Sequence, residues 1–269
     1  MNWSPHTVLV TGGTSGIGRA LATQLLAAGA TVIITGRSAE RLAAVQRELP
    51  GLHTLVCDQR DPASIARAAH ELLQSHPRLD TLINNAGVGR HLDLQDPALG
   101  AHALEDEIRS NLIGPIQWVG HLLPHLLRQP QARIVNVSSG LAFVPMPLKP
   151  VYCATKAGLH SYTQSLRVQL ARSRVRVIEL VPPATDTPFN AGQEAMNTAW
   201  LMSADALARA ALRGIARGRS EILPGMSPLL RWAGRLMPGA VIRRGDAEHL
   251  AGTRGARAPG LPSTDPSVR

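Results

Sequence analysis

Lysine is almost absent from this chain of 269 residues, which carries 2 lysines against 26 arginines. Aromatic side chains make up 3% of it, with 2 tyrosines among them. Cysteine is confined to Cys57 and Cys153, two lone thiols without metal-ligand spacing. A reducing, cytoplasmic setting follows as the expectation, with Cys153 packing rather than reacting. The 10 histidines are scattered, and no metal site is expected. No apolar run is long enough to span a bilayer. The first apolar strand pattern begins at Thr7, so no secretory leader is expected. The net charge of +9 and pI near 11.0 raise a nucleic-acid reading, but the arginines are spread over many segments and no nucleic-acid motif accompanies them.

Against that scarcity, Tyr152 and Lys156 stand four residues apart in Val-Tyr-Cys-Ala-Thr-Lys-Ala-Gly, residues 151–158. Positions i and i+4 share a helix face. An ammonium beside a phenol favours phenolate, lowering a pKa of about 10, and such a tyrosine can exchange a proton with a carbonyl or alcohol. Taken alone, the pair is equally compatible with an ordinary helix, the tyrosine in the core and the lysine reaching to solvent.

A second feature separates these readings. Thr7-Val8-Leu9-Val10 reads as a buried strand and runs into Thr11-Gly12-Gly13-Thr14-Ser15-Gly16-Ile17-Gly18, after which residues 19–28 carry a helical pattern and residues 30–35 a second β-rich run. This is a βαβ unit whose glycines let the backbone turn tightly against a pyrophosphate at a helix N-terminus. With the Thr-Gly-x-x-x-Gly-x-Gly spacing and the downstream Tyr-x-x-x-Lys, the chain resembles the short-chain dehydrogenase/reductase family from Val8 to about Thr187. Asn84-Asn85-Ala86-Gly87 matches a further motif of that family.

The resemblance implies a catalytic set of Asn111, Ser139, Tyr152 and Lys156. Ser139 rests on its 13-residue spacing to Tyr152, with Ser138 the neighbouring alternative. It also implies cofactor contacts from Gly12, Thr14, Ser15, Gly16, Ile17, Gly18, Asp58, Asn85, Ala86 and Gly87, and from Tyr152 and Lys156 themselves. A threonine after the strand at 175–181 is to meet the nicotinamide. The usual Pro-Gly is Pro182-Pro183 here, and Thr185 and Thr187 compete, Thr187 fitting the spacing better. This variant, with Ser-Ser-Gly-Leu-Ala-Phe at 138–143, resembles a branch labelled DltE-like, a label that carries no established substrate. At the end of the second strand Gly36 stands where an NAD site places an acid, and Arg37 follows. Arginine suits a 2'-phosphate, so NADP is the expected cofactor rather than NAD.

Strand patterns near residues 7–11, 31–35, 53–57, 80–84, 133–138, 175–181 and 219–223, separated by helical stretches, predict one α/β domain over 1–226 built on a doubly wound parallel sheet, the Rossmann fold. Residues 227–245 form a short amphipathic segment, for which docking on this chain or a sister subunit, contact with an acidic membrane surface, and no specific role stay open. Residues 246–269 read as a disordered basic tail. Leu141, Phe143, Val144, Met146 and Leu148, with Phe189, Met196, Trp200 and Met202 as a lid, predict an apolar substrate wall; His91 is expected at the surface. The function expected is an NADP-dependent oxidoreductase acting on a lipophilic carbonyl or alcohol, assembled as a homodimer or homotetramer. The alternatives are a redox-silent nucleotide sensor or partner-binding protein on the same fold, and an epimerase or dehydratase, whose glycine spacing differs.

Overall fold

The structure is a computed structural model that describes residues 3–97, 99–190, 201–237 and 239. Nine strands and eight α-helices are assigned among them: β1 Thr7–Val10, α1 Gly16–Ala27, β2 Thr31–Gly36, α2 Ala39–Glu48, β3 His53–Val56, α3 Pro62–Ser75, β4 Leu79–Asn84, α4 Ala101–Ile108, α5 Gly114–Leu126, β5 Ala132–Val137, α6 Pro150–Gln169, β6 Val175–Leu180, β7 Thr185–Asp186, β8 Met202–Ser203, α7 Ala204–Ala216, β9 Glu221–Ile222 and α8 Ser227–Leu236. A π-helical turn, Arg109–Ile113, joins α4 to α5.

Seven strands form one parallel sheet in the order β3-β2-β1-β4-β5-β6-β9. All seven expected strands are present, each within two residues of its predicted bounds. The β7/β8 pair is an addition that the sequence pattern did not show. Alternation along β1 explains how one short strand serves two layers. Val8 and Val10 join the core with Leu21 and Leu25 of α1 and Leu207 of α7, whereas Leu9 faces the other way onto Ile65, Trp118 and Leu122. Each such side chain, fully buried, contributes about 1.5–3 kcal/mol.

Helix starts are encoded locally. The Ser38 hydroxyl accepts from Arg41 N, the Asp61 carboxylate from Ala63 N ahead of Pro62, and the Ser203 hydroxyl from Ala206 N. The chain order reverses between β1 and β4, so the carboxyl ends of these strands open a crevice at the switch point. His121 and His125 on α5 do share a four-residue spacing, an exception to the scattered histidine pattern. His121 is exposed, however, and the buried His125 is bonded through Nε2 to the Leu79 carbonyl at 2.9 Å. Among the described residues no helix is long and apolar enough to cross a membrane.

Candidate active site

β1 delivers Thr11 into a turn where Gly12 and Gly16 take φ of 67° and 54°, the left-handed region that favours glycine. A Cβ on Gly12 would lie 2.8 Å from Ala86 Cα, and one on Gly18 would lie 2.3 Å from the Gly12 carbonyl oxygen. The loop therefore packs backbone against backbone, bringing the start of α1 to the crevice. Ser15 caps α1 without a side-chain hydrogen bond, and the first turn holds no acid, so the helix's positive end is left for an anion. Asn85 Nδ2 donates to the Thr11 and Gly12 carbonyls at 2.9 and 3.2 Å, and the Thr11 hydroxyl accepts from the Asn85 and Ala86 amides, both at 3.0 Å. These two residues brace the glycine loop from below.

A cleft of about 800 Å³ runs over this loop. At one end lie Arg37 and, one helical turn on, Arg41, beside the N-terminus of α2. Neither has an ion-pair partner among the described residues. Asp58 lines the same end; Arg60 grips its carboxylate through Nε at 3.0 Å and Nη2 at 2.7 Å and holds it below the usual carboxylate range. Thr14, Ser15, Gly16, Ile17, Ala86 and Gly87 line the middle.

At the other end Ser139, Tyr152 and Lys156 converge, all of them buried. The two neighbouring serines both line the cleft and differ in their partners. Ser138 donates to Glu179 Oε1 at 2.5 Å, and Glu179 is also held by His160 at 2.9 Å. Ser139 keeps its hydroxyl at the cleft, accepting from Leu141 N at 3.1 Å. Lys156 Nζ donates to the Val137 carbonyl at 2.8 Å and lies 5.7 Å from the Tyr152 ring centroid.

The protonation states differ from the expectation of a depressed phenol. Burial pushes Tyr152 up to about 12, with the Ser139 side chain pulling the other way, and burial pushes Lys156 down to about 8. The largest cause of both shifts is the removal of water from the charged form.

Asn111 sits in the π-helical turn, fully buried and off the cleft wall. Its Oδ1 accepts from Val88 N at 2.8 Å, while Nδ2 donates to the Val88 carbonyl at 2.7 Å and the Thr155 hydroxyl at 3.2 Å. It clasps the loop that follows Gly87 to the helix carrying Tyr152. Thr187 lines the cleft against Gly16, whose added Cβ would lie 3.2 Å from Thr187 Cγ2; Thr185 is buried with its hydroxyl on the Pro183 carbonyl at 2.9 Å.

The substrate wall needs correction. Leu141, Met146 and Phe189 line the cleft, but Phe143, Val144 and Leu148 do not, because the turn after β5 aims Phe143 at His160 with 5.0 Å between ring centroids. Met202 lies away in β8, and Met196 and Trp200 fall outside the described residues. His91 is exposed, as expected. Two lining residues were not foreseen. Leu230 of α8 enters the cleft over Gly140, and Arg231 anchors that helix through Glu221 at 2.5 Å. Leu229, Trp232 and Leu236 face outward, so α8 docks by a narrower edge than its apolar content suggests. The second is Lys149, buried in the cleft three residues before Tyr152. Its signal was already present: it is the other lysine in a chain that otherwise uses arginine.

Comparison with known proteins agrees with this geometry. The family described as short chain dehydrogenase matches residues 6–198. The "uncharacterized oxidoreductase DltE" of Bacillus subtilis is 41% identical over 226 residues, covering 82% of this chain and 89% of that protein. A short-chain dehydrogenase from Sphingobium yanoikuyae, solved with NADPH, superposes with a TM-score of 0.75 at 26% identity over 97% of this chain and 99% of that one. A short chain dehydrogenase/reductase from Burkholderia phymatum, solved with NAD, superposes with a TM-score of 0.79 over 98% and 99%; at 22% identity it speaks for the fold alone.

Proposed function

The chain belongs to the short-chain dehydrogenase/reductase family of nicotinamide-dependent oxidoreductases, and from that we propose that it is an NADP-dependent reductase of lipophilic carbonyl compounds. The observation that carries this reading is the continuity of the cleft, from Arg37 after β2 and Arg41 in α2, neither with an ion-pair partner among the described residues, to a buried Ser139, Tyr152 and Lys156 at the end of β5 and the start of α6. The cradle fits a dinucleotide: the glycine loop excludes any Cβ at Gly12 and Gly18, and α1 presents an uncapped N-terminus. Gly12 to Gly18 would take the pyrophosphate, Asp58 with Ala86 and Gly87 the adenosine half, Arg37 with Arg41 the 2'-phosphate, and Thr187 the carboxamide. When bound, NADPH supplies the hydride that goes to the carbonyl carbon.

The chain's own groups handle the proton. Tyr152, held protonated by burial, gives its hydroxyl proton to the carbonyl oxygen as that oxygen gains charge. Ser139 orients the oxygen. Lys156, half ionised near pH 8, stabilises the phenolate left behind and is placed for the ribose hydroxyls. Asn111 positions rather than reacts, through Val88 and Thr155. A homodimer or homotetramer is supported by the exposed Ile108, Ile113 and Ile116 beside the π-helical turn.

The test is NADPH oxidation against ketones, aldehydes and quinones, with Tyr152→Phe as control. The ring's packing survives while the transferable proton is gone, so NADPH should still bind and turnover fall by about 100-fold or more. Near-normal turnover by Tyr152→Phe would remove it from the mechanism.

A further inference from the structure

Resting on the reductase reading of this cleft, we propose that its substrate carries a carboxylate close to the carbonyl, received by Lys149, so that the class turned over is an oxo acid with a hydrocarbon or aromatic remainder.

Lys149 occupies the N-cap position of α6 and is 3% exposed. Its ammonium lies 4.9 Å from the Phe189 ring centroid and 5.9 Å from that of Tyr152. No hydrogen bond or ion pair reaches this ammonium among the described residues; the Phe189 and Tyr152 rings lie beside it at the cleft, and Cys153 and Glu107 act on it only electrostatically. A buried ammonium without an acceptor is costly, and natural sites of this kind are completed by a ligand or a partner. Glu107, the carboxyl that acts on Lys149 electrostatically, stands beyond ion-pair reach; burial raises its pKa, and its Oε1 accepts from Arg90 N at 2.5 Å. Burial lowers the Lys149 pKa, and a bound anion would offset that cost.

The two lysines of the chain thus flank one phenol. Lys156 spends its ammonium on the Val137 carbonyl, and Lys149 has no such commitment. Their neighbours differ: Lys156 lies near Gly87 and Lys149 over the Phe189 ring, in a cleft that Leu141, Met146 and Leu230 also line. A carbonyl poised at Tyr152 with a carboxylate on Lys149 places the remainder of the molecule along those apolar residues. The ammonium is a compact point charge with three rotatable donors, which receives a carboxylate in many orientations. The reaction balances as in the parent reading. Hydride from NADPH adds to the carbonyl carbon, the Tyr152 proton adds to its oxygen, and the carboxylate stays intact, giving a hydroxy acid.

The test uses the NADPH-loaded protein with benzoylformate, its methyl ester and acetophenone, together with Lys149→Met, which keeps chain length without charge. The wild type should favour the acid, and the acid-to-ester ratio of kcat/KM should fall by about 10- to 100-fold in Lys149→Met, largely through KM. Calorimetric titration of the NADP-saturated protein with benzoate and with benzamide gives a readout without turnover. Benzoate should bind to the wild type, and its binding should be lost in a Lys149→Met protein whose melting curve shows it folded. An unchanged ratio, or benzoate binding indifferent to Lys149, overturns the proposal while leaving the reductase reading in place. Benzoate binding that depends on Lys149 in a protein that reduces no carbonyl upholds the anion site and overturns the reductase reading instead.

Discussion

Replacing Lys156 with methionine should make the cofactor-free protein more stable while removing its activity. Burial takes the Lys156 pKa from its ordinary 10.5 to about 8, so near pH 7 the folded state holds a charged group that it accommodates poorly. Each tenfold change in proton affinity corresponds to about 1.4 kcal/mol, which places the cost at about 3 kcal/mol relative to the unfolded chain. Methionine removes that cost and forfeits the charge-assisted hydrogen bond to the Val137 carbonyl, worth about 2 kcal/mol. A net gain of about 1 kcal/mol should raise Tm by roughly 2–4 °C. The pH dependence follows from the direction of the shift. The folded state binds the Lys156 proton less tightly than the unfolded state, so the penalty is fully present below about pH 8, shrinks as pH rises toward 10.5, and is absent above it. Differential scanning fluorimetry of both proteins, across this range and without nucleotide, measures the gap. A variant no more stable than the wild type near neutral pH, or a gap that fails to close toward high pH, would refute the burial argument.

Arg37→Ala should weaken NADPH by about 10- to 100-fold and leave NADH little changed, and Arg41→Ala should do the same in smaller measure; fluorescence titration with both nucleotides decides it. Equal losses for the two nucleotides would place the arginines elsewhere than at a 2'-phosphate. Leu230→Asp sets a carboxylate against Gly140 under the cleft and should lower Tm by several degrees and raise KM for carbonyl substrates, as read by melting curves and steady-state kinetics. Trp232→Ser, on the exposed side of α8, should leave both unchanged.

The sheet was legible because its strands announce themselves: four-residue apolar runs such as Thr7–Val10 alternate with helices whose caps, Ser38 and Asp61, are written in the residues before them. The ends of the cleft were legible too, since glycine spacing and the Tyr-Lys interval are local. What escaped was whatever depends on partners distant in sequence. Asn85 braces Thr11 across 74 positions, and the Ser138 hydroxyl is taken up by Glu179, 41 residues on. Leu230 reaches Gly140 only because β9 lies beside β6 and sets α8 over the turn after β5. The upward shift of the Tyr152 pKa likewise depends on distant parts of the chain, since the burial that causes it is built by the whole fold rather than by the four-residue interval.

The π-helical turn at Arg109–Ile113 makes length, more than residue identity, the critical variable in this part of the chain. Such a turn holds one residue more than regular helix would, letting α4 and α5 each keep its own buried face. Deleting Leu112 would close the turn into ordinary α-helix and rotate everything after it by about 100° relative to everything before. The fold would then have to choose. Either Trp118, now fully buried against the sheet, leaves its place, or Asn111 lets go of Val88 and Thr155. Substitutions at the exposed positions of the turn should be absorbed, whereas a single-residue deletion sets the core and the active site against each other.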